Sequence, residues 1–408
     1  MRFCVNVVDV TRPCAAIPPL LKQLNERTVL ETIRSAAPIS RAEISRQAGI
    51  SKPTVSLALQ SLLESGLVRE TEPALGRPRY GAVFFEAVPD AALVLGLDLG
   101  ARFLRGAICD LSGAVRARQD IELPDVEVGK ALDTITKLRS SLVEASELPA
   151  HLIDSAVVGV PAVVGGETGR LSMGTNVPGL DGRDFRTDLI ERLDLPVTLD
   201  NDINLAARGE QWLGVARGIE DFVFLSVGTG LGAGLVLRGE LHRGRNGAAG
   251  EIDLVASGRA DEIDPCAAAV SELTERLAGE GVETRLTSPY DARAVFGAAR
   301  QGDPLGRAVV DEEARRIALH IAPIAAVTDV ALVVLGGGIG TNGDLLLDPI
   351  RRLLAEWLPF PPQVEVSGLG DAAVLTGALA VGLELAQERV FDNRHDGQRA
   401  ATGTAVGA

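Results

Sequence analysis

Apolar residues fall into two patterns along the chain. Up to about residue 70 they recur at three- and four-residue steps, the period of helices with one buried face. From about residue 93 they gather into short runs separated by glycine turns and longer helical stretches. In the first pattern, Val29, Leu30 and Ile33 share one face of a helix expected over residues 25–36, with Asn25 as N-cap and Pro38 as stop. Ser40 precedes Glu43 by three residues, the spacing of a capping box. Ile44 and Ala48 then face inward, and Gly49 suits the turn. Ser51 caps a third helix that has Pro53 in its first turn, a stripe of Val55, Leu59 and Leu62, and Gly66 at its end. The stretch "LVRETEPALGRPRYGAVFFEAV" reads as strand, turn and strand, with Gly76, Arg77, Pro78 and Arg79 at the tip.

Two short helices joined by a glycine turn describe a helix-turn-helix, and the two strands add a wing. The second helix of the pair would present Ser51, Lys52, Pro53, Thr54, Ser56 and Gln60 to a DNA major groove. Arg77 and Arg79 would follow a minor groove, where guanidinium groups meet a strong negative potential. The competing reading is a small helical protein-interaction domain, in which Ser56 and Gln60 are merely solvated.

Residues 86–92 form a hinge, and a second unit follows. "ALVLGLDLG" and "FLRGAICDL" make an apolar hairpin with Asp98 and Gly100 at its turn. "SAVVGVPAVV", "GTNVPGLDG" and "LPVTLDNDINLAARGE" place strand ends and polar loops in succession, the last delivering Asp200, Asn201 and Asp202 into a helix. "DFVFLSVGTGLGAGLVLRGEL" is a second glycine hairpin, with Gly228, Thr229 and Gly230 at its turn. "ALVVLGGGIG" is a strand running into Gly337. Strands alternating with helices imply α/β layers with ligands at the carboxyl ends of the strands. The two glycine hairpins suggest a duplicated core with a cleft between halves. With 45 glycines in 408 residues any single turn means little, so the weight falls on the order of the motifs.

Charge sharpens the division. The net charge is −15, yet residues 1–90 hold 11 Lys/Arg against 9 Asp/Glu, or +2, which leaves −17 for the rest. Only the first part tolerates phosphates. No run of 18 apolar residues appears, residues 1–14 lack the apolar core of a signal peptide, and the four cysteines show no CxxC pair. These features point to a cytoplasmic protein that neither spans a membrane nor relies on disulfides.

From about residue 24 to residue 386 the chain resembles the ROK family (repressors, open reading frames, kinases), and in particular its DNA-binding regulators. "NERTVLETIR", "ISRAEISRQAGISKPTVSLALQSLLESGLV" and "GRPR" match the regulator head. "GVPAVV", "TNVPG", "DNDINLAARGE", "SVGTGLGAGLV", "GAAGEI" and "LGGGIG" match the sugar-kinase-like body. The resemblance implies a winged helix-turn-helix over residues 23–88, followed over 93–388 by an α/β body of the actin-like, ribonuclease-H-like, duplicated ATPase type, with flexible tails at 1–22 and 389–408.

The resemblance also assigns roles. Asp202 takes the position of the general base of the kinases, with Asn176, Asn201 and Glu251 as further sugar contacts. Asp98, Gly100, Gly228, Thr229, Gly230 and Gly337 take the nucleotide-phosphate positions, in degenerate form. The family's first phosphate turn commonly reads DxGGT, whereas here it reads "DLGAR", with Ala101 and Arg102. The family's zinc cluster of one His and three Cys is also missing. Leu254 stands where the His belongs, Cys266 is the one remaining cysteine, and Ala268 replaces a sugar-binding Glu. One thiol cannot supply three thiolates, so no metal and no cofactor is expected. The reading that results is a DNA-binding transcriptional regulator, a repressor of carbohydrate genes that acts as a homodimer or homotetramer on a pseudo-palindromic operator. Its effector would be a sugar or sugar phosphate, and it would not be an enzyme. The rivals are an ATP-dependent sugar kinase with an added head, and a DNA-binding scaffold without effector.

Overall fold

The computed structural model describes residues 18–73, 81–123, 127–165, 169–173, 178–253 and 263–403. The chain divides into a head, Met1–Ala91 with Gln387–Ala408, and a body, Ala92–Ala386.

In the head, helix α1 covers Pro18–Ala36. It begins seven residues before Asn25, so Asn25 lies within the helix and does not cap it. The added turns were hidden because Leu21 and Leu24 are about half exposed and mark no buried face. Helices α2 (Arg41–Ala48) and α3 (Lys52–Glu64) follow. Strands β1 (Ile39–Ser40), β2 (Val68–Thr71) and β3 (Phe84–Ala87) form an antiparallel sheet in the order β1-β3-β2. Val29, Ile33, Ile44, Val55, Leu59 and Leu62 are essentially buried, each from the face its periodicity assigns, and Phe85 of β3 is buried with them. The β2–β3 pair is the wing; its tip, with Arg77 and Arg79, lies outside the described residues. The last helix, Ala373–Gly403, continues through the stretch from 389 that was expected to be a tail, and Arg27 Nη2 lies 3.0 Å from Glu388 Oε1.

The body contains the same sheet twice. The first has strands β4 (Leu93–Leu99), β5 (Phe103–Asp110), β6 (Val115–Glu122), β7 (Ile153–Val160) and β10 (Val197–Asn201), in the order β10-β7-β4-β5-β6. The short strands β8 (Val163–Val164) and β9 (Leu171–Ser172) form a separate antiparallel ribbon. The second sheet has β11 (Phe222–Val227), β12 (Leu231–Leu237), β13 (Glu240–Leu241), β14 (Leu332–Gly336) and β15 (Gln363–Val366), in the order β13-β12-β11-β14-β15. In each, the first three strands form an antiparallel meander. The fourth and fifth then add in parallel on the other side of the first. The duplicated core inferred from the glycine hairpins is therefore present in topology. Leu95, Leu97, Ile108, Ile135, Leu138 and Val158 fill one core, with helix α4 (Val128–Ser146) across it. Val223, Leu225, Val309, Ile317, Leu335 and Ile350 fill the other.

Candidate functional site

The head's second and third helices are built by their caps. Ser40 N–H donates to Glu43 Oε2 at 3.0 Å, and Glu43 N–H donates back to Ser40 Oγ at 3.4 Å, a complete capping box. Gly49 takes the left-handed conformation that turns the chain (φ 67°). Ser51 Oγ accepts from Thr54 N–H at 3.4 Å and lies 2.8 Å from Thr54 Oγ1. Ser51, Lys52, Pro53 and Gln60 are exposed, whereas Thr54 and Ser56 are half-buried. Ser56 Oγ donates to Lys52 O at 2.9 Å, and Gln60 Nε2 to Glu64 Oε1 at 2.9 Å, so both polar side chains are bonded locally in the free protein. Arg41, Arg46 and Lys52 are exposed and make no ion pair among the described residues.

In the body, the carboxyl ends of β4, β10, β11 and β14 carry Asp98, Asn201, Gly228 and Gly337. Asn201 caps helix α5 (Asp202–Leu213): its Oδ1 accepts from Ile203 N–H at 2.9 Å and Asn204 N–H at 3.1 Å. Its Nδ2 donates to Ala162 O at 3.3 Å, and its second N–H has no partner among the described residues. Because Asn201 is the cap, Asp202 is left as the first helical residue, with Oδ1 accepting only from Ile203 N–H at 2.8 Å. Burial, reinforced by the charges of Asp98 and Glu251, pushes the Asp202 carboxyl up to about 7. The same interactions place three carboxylates from three separate segments within electrostatic reach of one another. Glu251 is half-buried and also raised, first by burial and then by Asp253. Gly250 fixes Glu251 against β12: its carbonyl accepts from Ala233 N–H at 2.9 Å, and a Cβ there would sit 1.8 Å from Ala233 O. Asn176 lies outside the described residues.

The positions that the resemblance assigns to nucleotide phosphates lie on the two hairpin turns and at the glycine turn after β14. Gly100 N–H donates to Phe103 O at 2.9 Å, and Gly228 N–H to Gly230 O at 3.0 Å, so each of these amides closes its own hairpin. Gly337 (φ 77°) is required by packing, since a Cβ there would lie 2.4 Å from Val227 O. Thr229 and Gly230 are exposed. Buried Asp98 is paired with Arg105 Nη1 at 3.0 Å; burial outweighs that partner and raises the Asp98 carboxyl to about 6. Arg105 is the residue that sequence inspection misses. It stands directly across the hairpin from Asp98, seven positions along the chain, and a strand register drawn from the turn would have found it. Arg102 points to Glu122 at 3.5 Å and stacks near Phe103.

Cys266 caps the helix Ala267–Gly279, and burial pushes its thiol upward, away from the thiolate that zinc needs. Arg316 Nη1 donates to Asp264 O at 2.8 Å, and His320 Nε2 lies 3.1 Å from Ile263 O. These residues clasp the loop to the helix Pro304–Thr328 through side-chain hydrogen bonds, and they do not fit the family's zinc site.

The profile of the ROK family matches residues 94–384, and that of a winged helix-turn-helix DNA-binding domain matches residues 23–69. A xylose repressor of Caldicellulosiruptor bescii is 28% identical over 389 residues, covering 89% of this chain and 96% of that protein. A glucokinase of Halalkalibacterium halodurans is 30% identical over 316 residues, covering 70% of this chain and 94% of that protein. The crystal structure of a ROK family transcriptional regulator, a homolog of the E. coli MLC protein, superposes with a TM-score of 0.72 at 22% identity, covering 91% of this chain and 99% of that one. The chain, with a winged helix-turn-helix ahead of a duplicated α/β body, belongs to the ROK family.

Proposed function

We propose that this protein is a sequence-specific transcriptional repressor of carbohydrate uptake or catabolism genes, and that a sugar or sugar phosphate in the body controls its hold on DNA. The observation that carries the proposal is the pairing, on one chain, of a capped recognition helix with a cluster of carboxylates in a body whose glycine hairpins close on their own amides. The alignment of a protein named xylose repressor through both head and body supports it. Ser51, Lys52, Pro53, Thr54, Ser56 and Gln60 meet the major groove, and Arg77 and Arg79 meet the backbone or the minor groove. Asn176, Asn201, Asp202 and Glu251 hold sugar hydroxyls. Fixed amides and carboxylates reject the wrong stereochemistry because an unpaired buried polar group costs about 1–3 kcal/mol. Two heads on a homodimer or homotetramer read a pseudo-palindrome. Sugar binding favours the state with lower operator affinity, by no more than its own preference between the two states. The site of action is the cytoplasm.

The second reading, a sugar kinase, is favoured by the glucokinase relative. In that case Asp202 accepts the hydroxyl proton as the hydroxyl oxygen attacks phosphorus. ATP consumption across a sugar panel separates the two. The expected result is no turnover near the roughly 1–100 per second of working kinases. Turnover at such rates that vanishes in Asp202→Ala would overturn the repressor-only assignment.

A further inference from the structure

The exposed face of α3 is not uniformly polar. Val55, Ala58, Leu59, Ser61 and Leu62 are buried, so the opposite stripe is Pro53, Leu57, Gln60 and Glu64, flanked by Lys52 and Ser56. Leu57 is 68% exposed, the most exposed large apolar side chain among the described residues of the head. It lies five residues beyond Lys52, about 7.5 Å along the helix. Pro53, one turn earlier, makes the neighbouring surface apolar as well. The adjacent polar side chains are already bonded, Ser56 to Lys52 O and Gln60 to Glu64. The cations Arg41, Arg46 and Lys52 make no ion pair among the described residues, which suits a polyanionic partner over a second apolar surface. Of the four bases, only thymine offers an apolar group in the major groove, its C5-methyl.

We infer that Leu57 is a specificity-determining residue that reads thymine methyl groups in each half-site of the operator. The inference rests on the DNA-binding assignment of the head. On a helix otherwise equipped with hydroxyls and an amide, Leu57 supplies the one contact that a hydrogen-bonding side chain cannot. It favours thymine over cytosine, which has no methyl and presents an amine at the groove edge. Desolvating Leu57 and a methyl group together stabilises the complex, and a cytosine at that position leaves Leu57 against a polar edge.

The test uses the full chain and a randomised duplex library to enrich a preferred site, followed by fluorescence anisotropy. Each thymine of the enriched site is replaced in turn by deoxyuridine, which removes the methyl and keeps every hydrogen-bonding group. The expected result is one thymine position, or an adjacent pair, per half-site at which deoxyuridine weakens binding about fourfold, the ~0.8 kcal/mol of one buried methyl group converted at RT. Leu57→Ala should bind the thymine site more weakly and lose the deoxyuridine penalty, while Leu57→Met should retain most of it. Unchanged melting curves check that both variants are folded. If no thymine is sensitive, or if the penalty survives in Leu57→Ala, the inference fails. It also fails if Leu57→Ala changes only the oligomeric state, which would assign the side chain to a contact between copies. Failure to enrich any site would instead sink the DNA-binding assignment itself, so the two failures are distinguishable.

Discussion

Replacing Asp202 by Asn should move stability and ligand affinity in opposite directions. In the folded protein the carboxyl is raised from 3.8 to about 7, chiefly by burial and then by Asp98 and Glu251. Near pH 8 the wild type carries the charge in both folded and unfolded states. The difference between 3.8 and about 7 then corresponds to roughly 4 kcal/mol of native-state penalty. Partial exposure of the side chain discounts this to about 2 kcal/mol, and the change keeps an acceptor for Ile203 N–H, since the Asn amide oxygen can take the place of Oδ1 and Asn201 Oδ1 accepts from the same N–H at 2.9 Å. Asp202→Asn should therefore raise the melting temperature of the body at pH 8 by a few degrees. The sign follows from linkage. A carboxyl raised on folding makes stability fall as pH rises from the unfolded value toward about 7, and the amide abolishes that fall. Sugar hydroxyls, by contrast, donate best to the ionised group. Wild-type affinity should climb between pH 6 and 8, and the Asn variant should bind at least tenfold more weakly with a flat profile, since a hydrogen bond to a charged group is worth about 1.5–3 kcal/mol. Thermal melts and calorimetric titrations across that pH range measure both quantities. A variant that binds sugar as well as the wild type, or that melts lower at pH 8, would refute the reasoning.

Three further predictions concern other parts of the molecule. Gly337→Ala adds a Cβ 2.4 Å from Val227 O at a positive φ, so chemical denaturation should show a loss of about 2–4 kcal/mol, and a loss under 0.5 kcal/mol would contradict the packing argument. Glu313 is fully buried and raised to about 9, as burial outweighs the nearby Arg316. It therefore folds protonated, and stability is lost as pH rises from about 4.5 toward 9; Glu313→Gln should flatten that slope in pH-dependent melts, and an identical slope would exclude Glu313 as its source. Arg77→Ala should weaken operator binding and lower the salt dependence by about one phosphate equivalent, and an unchanged salt slope and affinity would remove the wing from the interface.

What could be seen in the sequence depended on how local the physics was. The Ser40–Glu43 box, the Ser51 cap and the Gly49 turn were legible because each is a hydrogen bond or a backbone preference within four residues. The duplicated sheet was legible at one remove, through two glycine hairpins and the polar strand ends. The start of α1 was not, because Leu21 and Leu24 are about half exposed and mark no buried face. The Asp98–Arg105 pair needed a strand register, not a motif. The use of Gly100 and Gly228 amides by their own hairpins needed the closed turn, which a glycine count cannot supply. Asn201 and Asp202 are adjacent and chemically similar, so only the helix start shows that Asn201 caps and leaves Asp202 facing other carboxylates.

Operator affinity of the full chain, measured by anisotropy on an enriched site with and without sugars, tests most directly whether the body governs the head. The panel should include D-xylose, D-glucose and their phosphates, with no ATP present. At least one sugar should lower operator affinity fivefold or more, and Asp202→Asn should lose that response while still binding DNA. If none of them shifts the affinity of a protein that binds its site, the cleft is not a sensor, and the chain is a DNA-binding protein without a sugar effector.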